Sequence, residues 1–118
     1  MTEKMQTNEG NGEIMRVGEA DFAAEVLQSK APVLAAFSTP WSRPCQALDS
    51  VLEELAGALR GRAKVIKVNA DDSLSLSLCY DIRSVPTLLY FVDGTPRVRI
   101  VGTATKDAIL SKLSSPGV

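Results

Sequence analysis

The fold of this chain is decided by the stretch Phe37-Ser38-Thr39-Pro40-Trp41-Ser42-Arg43-Pro44-Cys45. It joins a short apolar run, residues 32–37, to a long segment of helical period that begins near Pro44. A strand that runs directly into a helix through a Trp/Pro turn places the residues after Trp41 on the first helical turn. The unpaired N–H groups and the positive dipole end of that turn favour a negatively charged atom, for example a thiolate.

The segments on either side of this turn predict a buried strand and a long helix. Residues 33–37 are apolar at every position, which is typical of a strand buried on both faces. After the turn, apolar side chains repeat at the three-and-four spacing of an amphipathic helix: Leu48, Val51, Leu52, Leu55 and Leu59. We expect Gly61 to cap the C-terminus of this helix.

The first and middle parts of the chain predict strands and helices in alternation. Residues 14–17 and 63–69 predict strands, and the first of these is expected at a sheet edge. Residues 19–29 predict a helix because three apolar residues recur at helical spacing: Phe22, Val26 and Leu27. In residues 73–78 serine alternates with leucine, which alone is typical of a strand. We predict a helix there, because two neighbouring parallel strands need a crossover connection.

The last part of the chain predicts a hairpin and a final helix. Residues 86–92 form a strong strand pattern, and Asp93-Gly94 is the best short hairpin signal in the sequence. We expect residues 97–101 to pair back antiparallel, and Thr105 to cap a last helix. The predicted order is β-α-β-α-β-α-β-β-α, which gives an α/β protein with a mixed sheet and helices on both faces.

Length and composition indicate one domain. The chain has 118 residues, of which 45% are hydrophobic, and this suits a single core built from residues 14–118. Residues 1–13 are polar, contain Gly10-Asn11-Gly12 and show no apolar period. We expect these thirteen residues to form a mobile tail.

Charge and residue usage exclude several classes of function. The net charge of -1 and the pI near 5.4 give no electrostatic basis for binding nucleic acid or an anionic membrane. No apolar run approaches the ~18 residues of a membrane span, and residues 1–13 lack the apolar core of a secretory signal, so we expect a cytoplasmic protein. We also expect a monomer. Two cysteines and no histidine argue against a disulfide framework, a zinc site and imidazole catalysis. We expect neither a metal nor a cofactor.

Four motifs, in this order, resemble the thioredoxin family over almost all of residues 14–113. The active-site stretch of that family is Trp-Cys-Gly-Pro-Cys, and here serine stands in place of the first cysteine. The resemblance implies a thioredoxin fold, with a central mixed sheet of about five strands flanked by four helices. The motifs are residues 33–37 leading into Trp41-Ser42-Arg43-Pro44-Cys45; Lys67-Val68-Asn69-Ala70-Asp71; Ile82-Arg83-Ser84-Val85-Pro86-Thr87; and Phe91-Val92-Asp93-Gly94 followed by Val101-Gly102.

The resemblance also implies a substrate groove. It implies that the Val85–Pro86 bond is cis and faces the active-site turn, and that Val85 and Gly102 help to hold a substrate's extended backbone. The other residues expected to contact substrate are Trp41, Arg43 and Pro44. From the residues alone, Pro86 is a proline at the first position of a buried strand, and a rigid turn with no further role remains the alternative.

The family mechanism needs two thiols, of which this stretch keeps one. An exposed first cysteine attacks a substrate disulfide, and a more buried second cysteine resolves the mixed disulfide. Here Ser42 occupies the attacking position and Cys45 the resolving position. A serine hydroxyl without a general base cannot replace a thiolate, so the dithiol cycle is blocked. The alternatives are that Ser42 is a plain N-cap and Cys45 a small buried apolar residue.

Two positions support the predicted site, and two further residues depart from the family pattern or lie outside it. Ala36 stands where thioredoxins carry a buried aspartate thought to accept protons for the resolving thiol, and Lys67 is the usual partner of that aspartate. We therefore expect Lys67 to lack a counter-charge and either to extend its head to water or to become neutral. Ser38 replaces a second Trp of many thioredoxins and thins the packing near the turn. Cys79 matches no family motif.

Three hypotheses for function follow. The first is a thioredoxin-type protein thiol–disulfide oxidoreductase, serving redox homeostasis and electron transport, in which Ser42 replaces the attacking cysteine and disables or traps the protein. Its partners would be protein disulfide substrates and a thioredoxin-type reductase. The second is a natural Ser-x-x-Cys binding or chaperone module without redox turnover, and the third is a monothiol acting through Cys45. We favour the first because the remaining frame is intact: Trp41, Pro44, Cys45, Pro86 and Gly102.

Overall fold

Five strands form one mixed sheet in the computed structural model, which describes residues 12–114. Their spatial order is β1-β3-β2-β4-β5. Strands β1, β3 and β2 run parallel, whereas β4 pairs antiparallel with β2 and β5 pairs antiparallel with β4. The predicted mixed α/β sheet is confirmed. The strands are β1 (Ile14–Arg16), β2 (Val33–Ser38), β3 (Lys64–Asn69), β4 (Thr87–Val92) and β5 (Thr95–Val101).

Helices cover both faces of this sheet. They are α1 (Glu19–Phe22), which continues into a π-helical turn (Ala23–Leu27), α2 (Arg43–Ala58), α3 (Leu74–Cys79) and α4 (Lys106–Leu113). Helices α2 and α4 share one core cluster with the sheet, and α1 packs in the other, with α3 against it. The predicted crossover helix is confirmed as α3, and Thr105 caps α4 by accepting a hydrogen bond from the Ala108 N–H at 3.1 Å.

Strand β2 lies at the centre of the fold. All six of its residues are buried, as the unbroken apolar run predicts. Because side chains alternate across a strand, Leu34 and Ala36 enter the core on the α2 side, while Val33, Ala35 and Phe37 enter the core on the α1 side. The end of β2 is therefore fixed from both faces, and the turn that follows it starts from a rigid position.

Two helix boundaries differ from the sequence expectation. The predicted helix over 19–29 ends in a π-helical turn, closed by the Gln28 N–H donating to the Ala23 carbonyl at 2.8 Å, and Leu27 is 38% exposed rather than packed inward. The C-cap of α2 is Leu59, not Gly61. Gly61 has φ +77° in the turn that leads to β3, so its conformational freedom serves the connection and not the cap.

Two expectations concern the ends of the chain and the membrane. Residues 1–11 of the predicted mobile tail lie outside the described residues, so the tail remains a prediction. Within residues 12–114, no helix combines the length and the apolar character needed to cross a bilayer.

The β4–β5 hairpin supplies a stability prediction. Asp93 and Gly94 have φ of 54° and 79°, and a Cβ on Gly94 would lie 2.7 Å from the Leu27 carbonyl oxygen. Gly94→Ala should therefore destabilise the fold by about 2 kcal/mol, through backbone strain and a clash with main chain that cannot move freely. Chemical denaturation measures this change in the free energy of unfolding.

Gly57 is the matched control for that experiment. It lies exposed inside α2, and a Cβ there would meet nothing within 4 Å. Gly57→Ala should stabilise the protein by about 0.5–1 kcal/mol, since alanine has the higher helix propensity. Equal effects of the two substitutions would contradict the close approach of the hairpin to the π-helical turn.

Candidate active-site turn

The turn after β2 positions Ser42 as the N-cap of α2. The backbone of Ser42 is extended, with φ -83° and ψ 125°, and its Oγ accepts a hydrogen bond from the Cys45 N–H at 3.3 Å. Arg43 and Pro44 open the helix, where a proline loses no hydrogen bond because the first N–H groups have no helical partner. Ser42 is buried, and its hydroxyl oxygen is the acceptor that caps the helix.

Cys45 lies under this turn with little access to solvent. Its residue exposure is 3%, and its Sγ accepts a long hydrogen bond of 3.5 Å from the Thr39 N–H. The side chain of Gln46 holds the turn in place by donating to the Pro40 carbonyl at 2.8 Å. The one thiol of the turn is thus buried, while Arg43 and Pro44 are exposed above it.

Trp41 projects from the turn and is fixed by a residue that the sequence pattern did not assign to the site. Trp41 is 67% exposed, and its Nε1 donates to Asp71 Oδ2 at 2.7 Å. Asp71 is itself held because Asn69 Oδ1 accepts its N–H at 2.9 Å. Asp71 belongs to a family motif, but it lies thirty residues from Trp41 in the sequence, so local patterns could not predict the contact.

The segment before β4 lies beside the same end of β2. The Val85–Pro86 peptide bond is cis, and the β2–β4 register pairs Phe37 with Thr87, so Pro86 comes next to the residues that enter the active-site turn. The Pro86 carbonyl accepts the Gly102 N–H at 2.8 Å. Gly102 has φ +90°. Val85, Pro86 and Gly102 are therefore brought together at the edge where Trp41 projects.

Lys67 has a counter-charge, contrary to our expectation. Ala36 and Lys67 are register neighbours on β2 and β3, as expected, but Lys67 Nζ forms an ion pair with Asp49 Oδ1 at 2.8 Å. The side chains are 22% and 47% exposed, respectively. Asp49 follows Cys45 by four residues and so lies on the same face of α2, one turn further along. That spacing is visible in the sequence, but the expectation rested on the Ala36 position alone.

A cavity of about 430 Å³ adjoins these groups, and both Cys45 and the Asp49–Lys67 pair line it. Two small polar residues, Ser38 and Thr39, form part of its wall. Thr39 is 3% exposed, and within residues 12–114 no group forms a hydrogen bond with its Oγ1. The cavity therefore joins a thiol, an ion pair and an unused buried hydroxyl.

Cys79 lies on the surface of α3 and is a free thiol, as is Cys45. Burial, and to a smaller extent the charge of the Cys79 thiolate, raise the pKa of the neighbouring Tyr80.

An ion pair lies in the exposed segment before Val85. A hydrogen bond from Arg83 lowers the pKa of the Asp81 carboxyl, and the two side chains pair at 2.8 Å. Within residues 12–114, no three histidine, cysteine, aspartate or glutamate side chains form a group that could hold a metal ion.

A five-stranded mixed sheet with helices on both faces, and a Trp-x-x-Pro-Cys turn beside a cis-proline, define the thioredoxin class of fold. The family model for thioredoxin matches residues 13–115. Similar proteins include thioredoxin 1 of Synechococcus elongatus, 40% identical over 97 residues, which are 82% of this chain and 91% of that protein. This chain belongs to the thioredoxin family of redox proteins.

Other relatives extend the comparison. A thioredoxin of Griffithsia pacifica is 36% identical over 100 residues, which cover 85% of this chain and 92% of the relative. Thioredoxin M5, chloroplastic, of Oryza sativa is 38% identical over 97 residues, which cover 82% of this chain and 56% of the relative.

Proposed function

We propose that this protein is a thioredoxin-type thiol–disulfide oxidoreductase whose dithiol cycle is interrupted at Ser42. It binds protein disulfide substrates along the groove beside Pro86 but does not turn them over with its own pair of thiols. Its expected partners are such substrates and a thioredoxin-type reductase. We further propose a cytoplasmic monomer with one domain, residues 14–118, and a mobile tail, residues 1–13.

The state of Ser42 is the observation that carries this proposal. Its hydroxyl oxygen accepts the Cys45 N–H at 3.3 Å, and the residue is 6% exposed. The chain contains no histidine, and no carboxylate is hydrogen-bonded to Ser42 among the described residues. Ser42 therefore caps a helix and lacks the base that a serine nucleophile requires. The chemistry of the turn is left to Cys45.

The proposed substrate groove combines an aromatic side chain with apolar and backbone groups. Trp41 is 67% exposed although it is a large apolar residue, and Val101, next to Gly102, is 60% exposed. Exposed apolar side chains that adjoin a strand end suit an extended peptide, because such a peptide buries apolar side chains and offers its backbone for hydrogen bonds. Val85 and Pro86 form the floor of this groove, and Arg43 and Pro44 form its rim.

A binding module without redox turnover is the second candidate. The observation that favours it is that the replaced positions are already satisfied: Ser42 completes an N-cap, and Asp49 supplies the charge that Ala36 cannot give to Lys67. Because the Ser42 hydroxyl and the Lys67 ammonium both have partners, the folded site does not need a second thiol. Ser42→Cys separates the two candidates, because only the oxidoreductase scaffold should regain disulfide turnover when that thiol is restored.

The groove itself can be tested by fluorescence, because Trp41 is the single tryptophan of the chain. Titration with a short disulfide-containing peptide should change the emission of the exposed indole. Val85→Asp should weaken binding about tenfold, since a carboxylate at the floor of the groove would be desolvated by the peptide. Leu78→Asp is the matched control, because Leu78 is 83% exposed on α3. Equal weakening by both variants would contradict the groove.

A further inference from the structure

The cavity beside Cys45 lies where α/β proteins commonly bind small ligands. Arg16, Ser38 and Asn69 are the last residues of β1, β2 and β3, and all three line the cavity. These strands are parallel, so the cavity opens at their common carboxyl end. Crevices at this edge are the usual ligand sites of such sheets. The volume of about 430 Å³ suits a small molecule, not a folded partner.

The charges around this cavity are of both signs. Lys67 and Asp49 neutralise each other at 2.8 Å. Arg16 also lines the cavity, is exposed, and has no ion-pair partner in the part of the chain that the structure describes. Asp72 adds a carboxylate to the same wall. A guanidinium and a carboxylate in one polar cavity suit a ligand that carries both a carboxylate and an ammonium group.

A thiol and an unused hydroxyl complete the site. Cys45 lines the cavity, and the Thr39 N–H donates to its Sγ at 3.5 Å. Thr39 also lines the cavity, and its buried Oγ1 has no hydrogen-bond partner among the described residues. Buried hydroxyls in folded proteins are nearly always hydrogen-bonded. The buried Thr39 hydroxyl at the cavity wall is therefore available to form a hydrogen bond with a ligand in the cavity.

We propose that this cavity binds a small zwitterionic thiol compound, such as an amino-acid or short-peptide thiol, and that Cys45 exchanges disulfides with it. This inference rests on the proposed function, because the small thiol would supply the second sulfur that Ser42 cannot. The cavity gives it access to Cys45 separately from the substrate groove at Trp41 and Pro86.

The exchange balances without any further reactant. Cys45 releases its proton, its thiolate attacks one sulfur of the small disulfide, and the bond between the two small sulfurs breaks as the Cys45–ligand bond forms. The departing thiolate takes up a proton. Cys45 is oxidised and the departing sulfur is reduced. When Cys45 instead holds a protein by a disulfide, one small thiolate attacks the Cys45 sulfur, the bond to the protein breaks, and the protein leaves as a thiol that takes up a proton. A second small thiolate then attacks the small sulfur bound to Cys45, so that the small disulfide forms and Cys45 leaves as a thiol.

Cys79 gives this proposal an internal control. It is an exposed thiol that does not line the cavity beside Cys45, so its reaction with any disulfide reports simple access. A buried cysteine without a site should react far more slowly than Cys79. If Cys45 lies at a ligand site, its reaction rate should instead depend on the charges of the ligand and on Arg16.

The experiment compares two probes, glutathione disulfide and the neutral 2-hydroxyethyl disulfide. The reaction is quenched with acid at short times, and the mixed disulfides on Cys45 and Cys79 are quantified separately by peptide mass mapping. With the parent protein, glutathione disulfide should modify Cys45 at least as fast as Cys79. Arg16→Ala should slow the reaction of Cys45 about tenfold, the loss expected for one charge-assisted hydrogen bond, and should leave Cys79 unchanged.

The controls decide whether recognition is specific. Arg97→Ala removes an equal charge from exposed β5 and should leave both cysteines unaffected, and the neutral disulfide should show no dependence on Arg16. Asp72→Asn tests the ammonium contact and should also slow only Cys45. The proposal is overturned if Cys45 stays unmodified while Cys79 reacts, or if Arg16→Ala changes both cysteines equally or neither. Peptide binding at the substrate groove is measured by Trp41 fluorescence and does not involve Arg16. The proposed function and the small-thiol cavity are therefore tested by independent measurements, and one can be contradicted without the other.

Discussion

Ser42→Cys is expected to give repeated reduction of a protein disulfide, whereas the proposed function predicts no such turnover by the parent protein. With a thioredoxin-type reductase and no small thiol present, the rate should rise on the order of 10³-fold or more, as when a missing nucleophile is restored in other enzymes. The introduced thiol would occupy the N-cap of α2, where the first N–H groups and the nearby Arg43 stabilise a thiolate. Steady-state disulfide reduction measures this rate.

Ser42→Ala is the matched control for this prediction. It removes the hydroxyl without adding a thiol, so it should stay inactive and lose about 1 kcal/mol of stability, because the N-cap acceptor of the Cys45 N–H is gone. Cys45→Ser added to Ser42→Cys should abolish the restored turnover, since the mixed disulfide would lack its resolving thiol. Turnover by the parent protein would show that the proposed chemistry is wrong.

Ala36→Asp is expected to destabilise the protein by about 3 kcal/mol at neutral pH. Ala36 is fully buried and is the register neighbour of Lys67, whose ammonium already pairs with Asp49 at 2.8 Å. A second carboxylate would be desolvated and would have to share one cation with Asp49. From the sequence alone, Ala36→Asp is expected to supply Lys67 with a missing partner and to leave the stability unchanged or improved. Denaturant unfolding measures the change in the free energy of unfolding.

A double-mutant cycle identifies the cause of this loss. Asp49→Ala alone should cost only about 1 kcal/mol, because the pair is partly exposed and solvent screens it. Ala36→Asp combined with Asp49→Ala should be more stable than Ala36→Asp alone, since Lys67 then pairs with the new carboxylate. If the double variant is no more stable than Ala36→Asp, the two positions do not compete for Lys67. Ala36→Asn, similar in size to aspartate but neutral, reports the part of the loss due to crowding.

Much of the fold could be predicted because its signals are local. An unbroken apolar run gives β2, a three-and-four spacing gives α2, and Asp93-Gly94 gives the hairpin. Helix α3 is the instructive case, since its serine and leucine alternate as in a strand. The need for a crossover between parallel strands outweighed that local pattern. The π-helical turn at 23–27 could not be foreseen, because the apolar spacing in residues 19–29 is that of an ordinary helix.

The candidate site was predicted less completely than the fold. Ser42 and Cys45 are three residues apart, so their relation on the first turn of α2 followed from spacing alone. The partners of Trp41 and Lys67 depend instead on how helix and sheet pack. Asp71 is thirty residues from Trp41, and Asp49 comes from a different element than Lys67. Periodicity can place Asp49 on the face it shares with Cys45, but it cannot say which strand residue lies opposite.

The proposed function requires a scaffold that is competent for dithiol chemistry and is interrupted at Ser42 alone. The most direct measurement is the mass and disulfide map of Ser42→Cys after mild oxidation, beside the parent protein. Positions three residues apart on one helical turn lie within disulfide reach, so the variant should lose two hydrogens and link the introduced thiol to Cys45. The parent should keep both its thiols free of any intramolecular bond. If Ser42→Cys forms no such disulfide and stays inactive, the redox proposal is contradicted and the binding module takes its place.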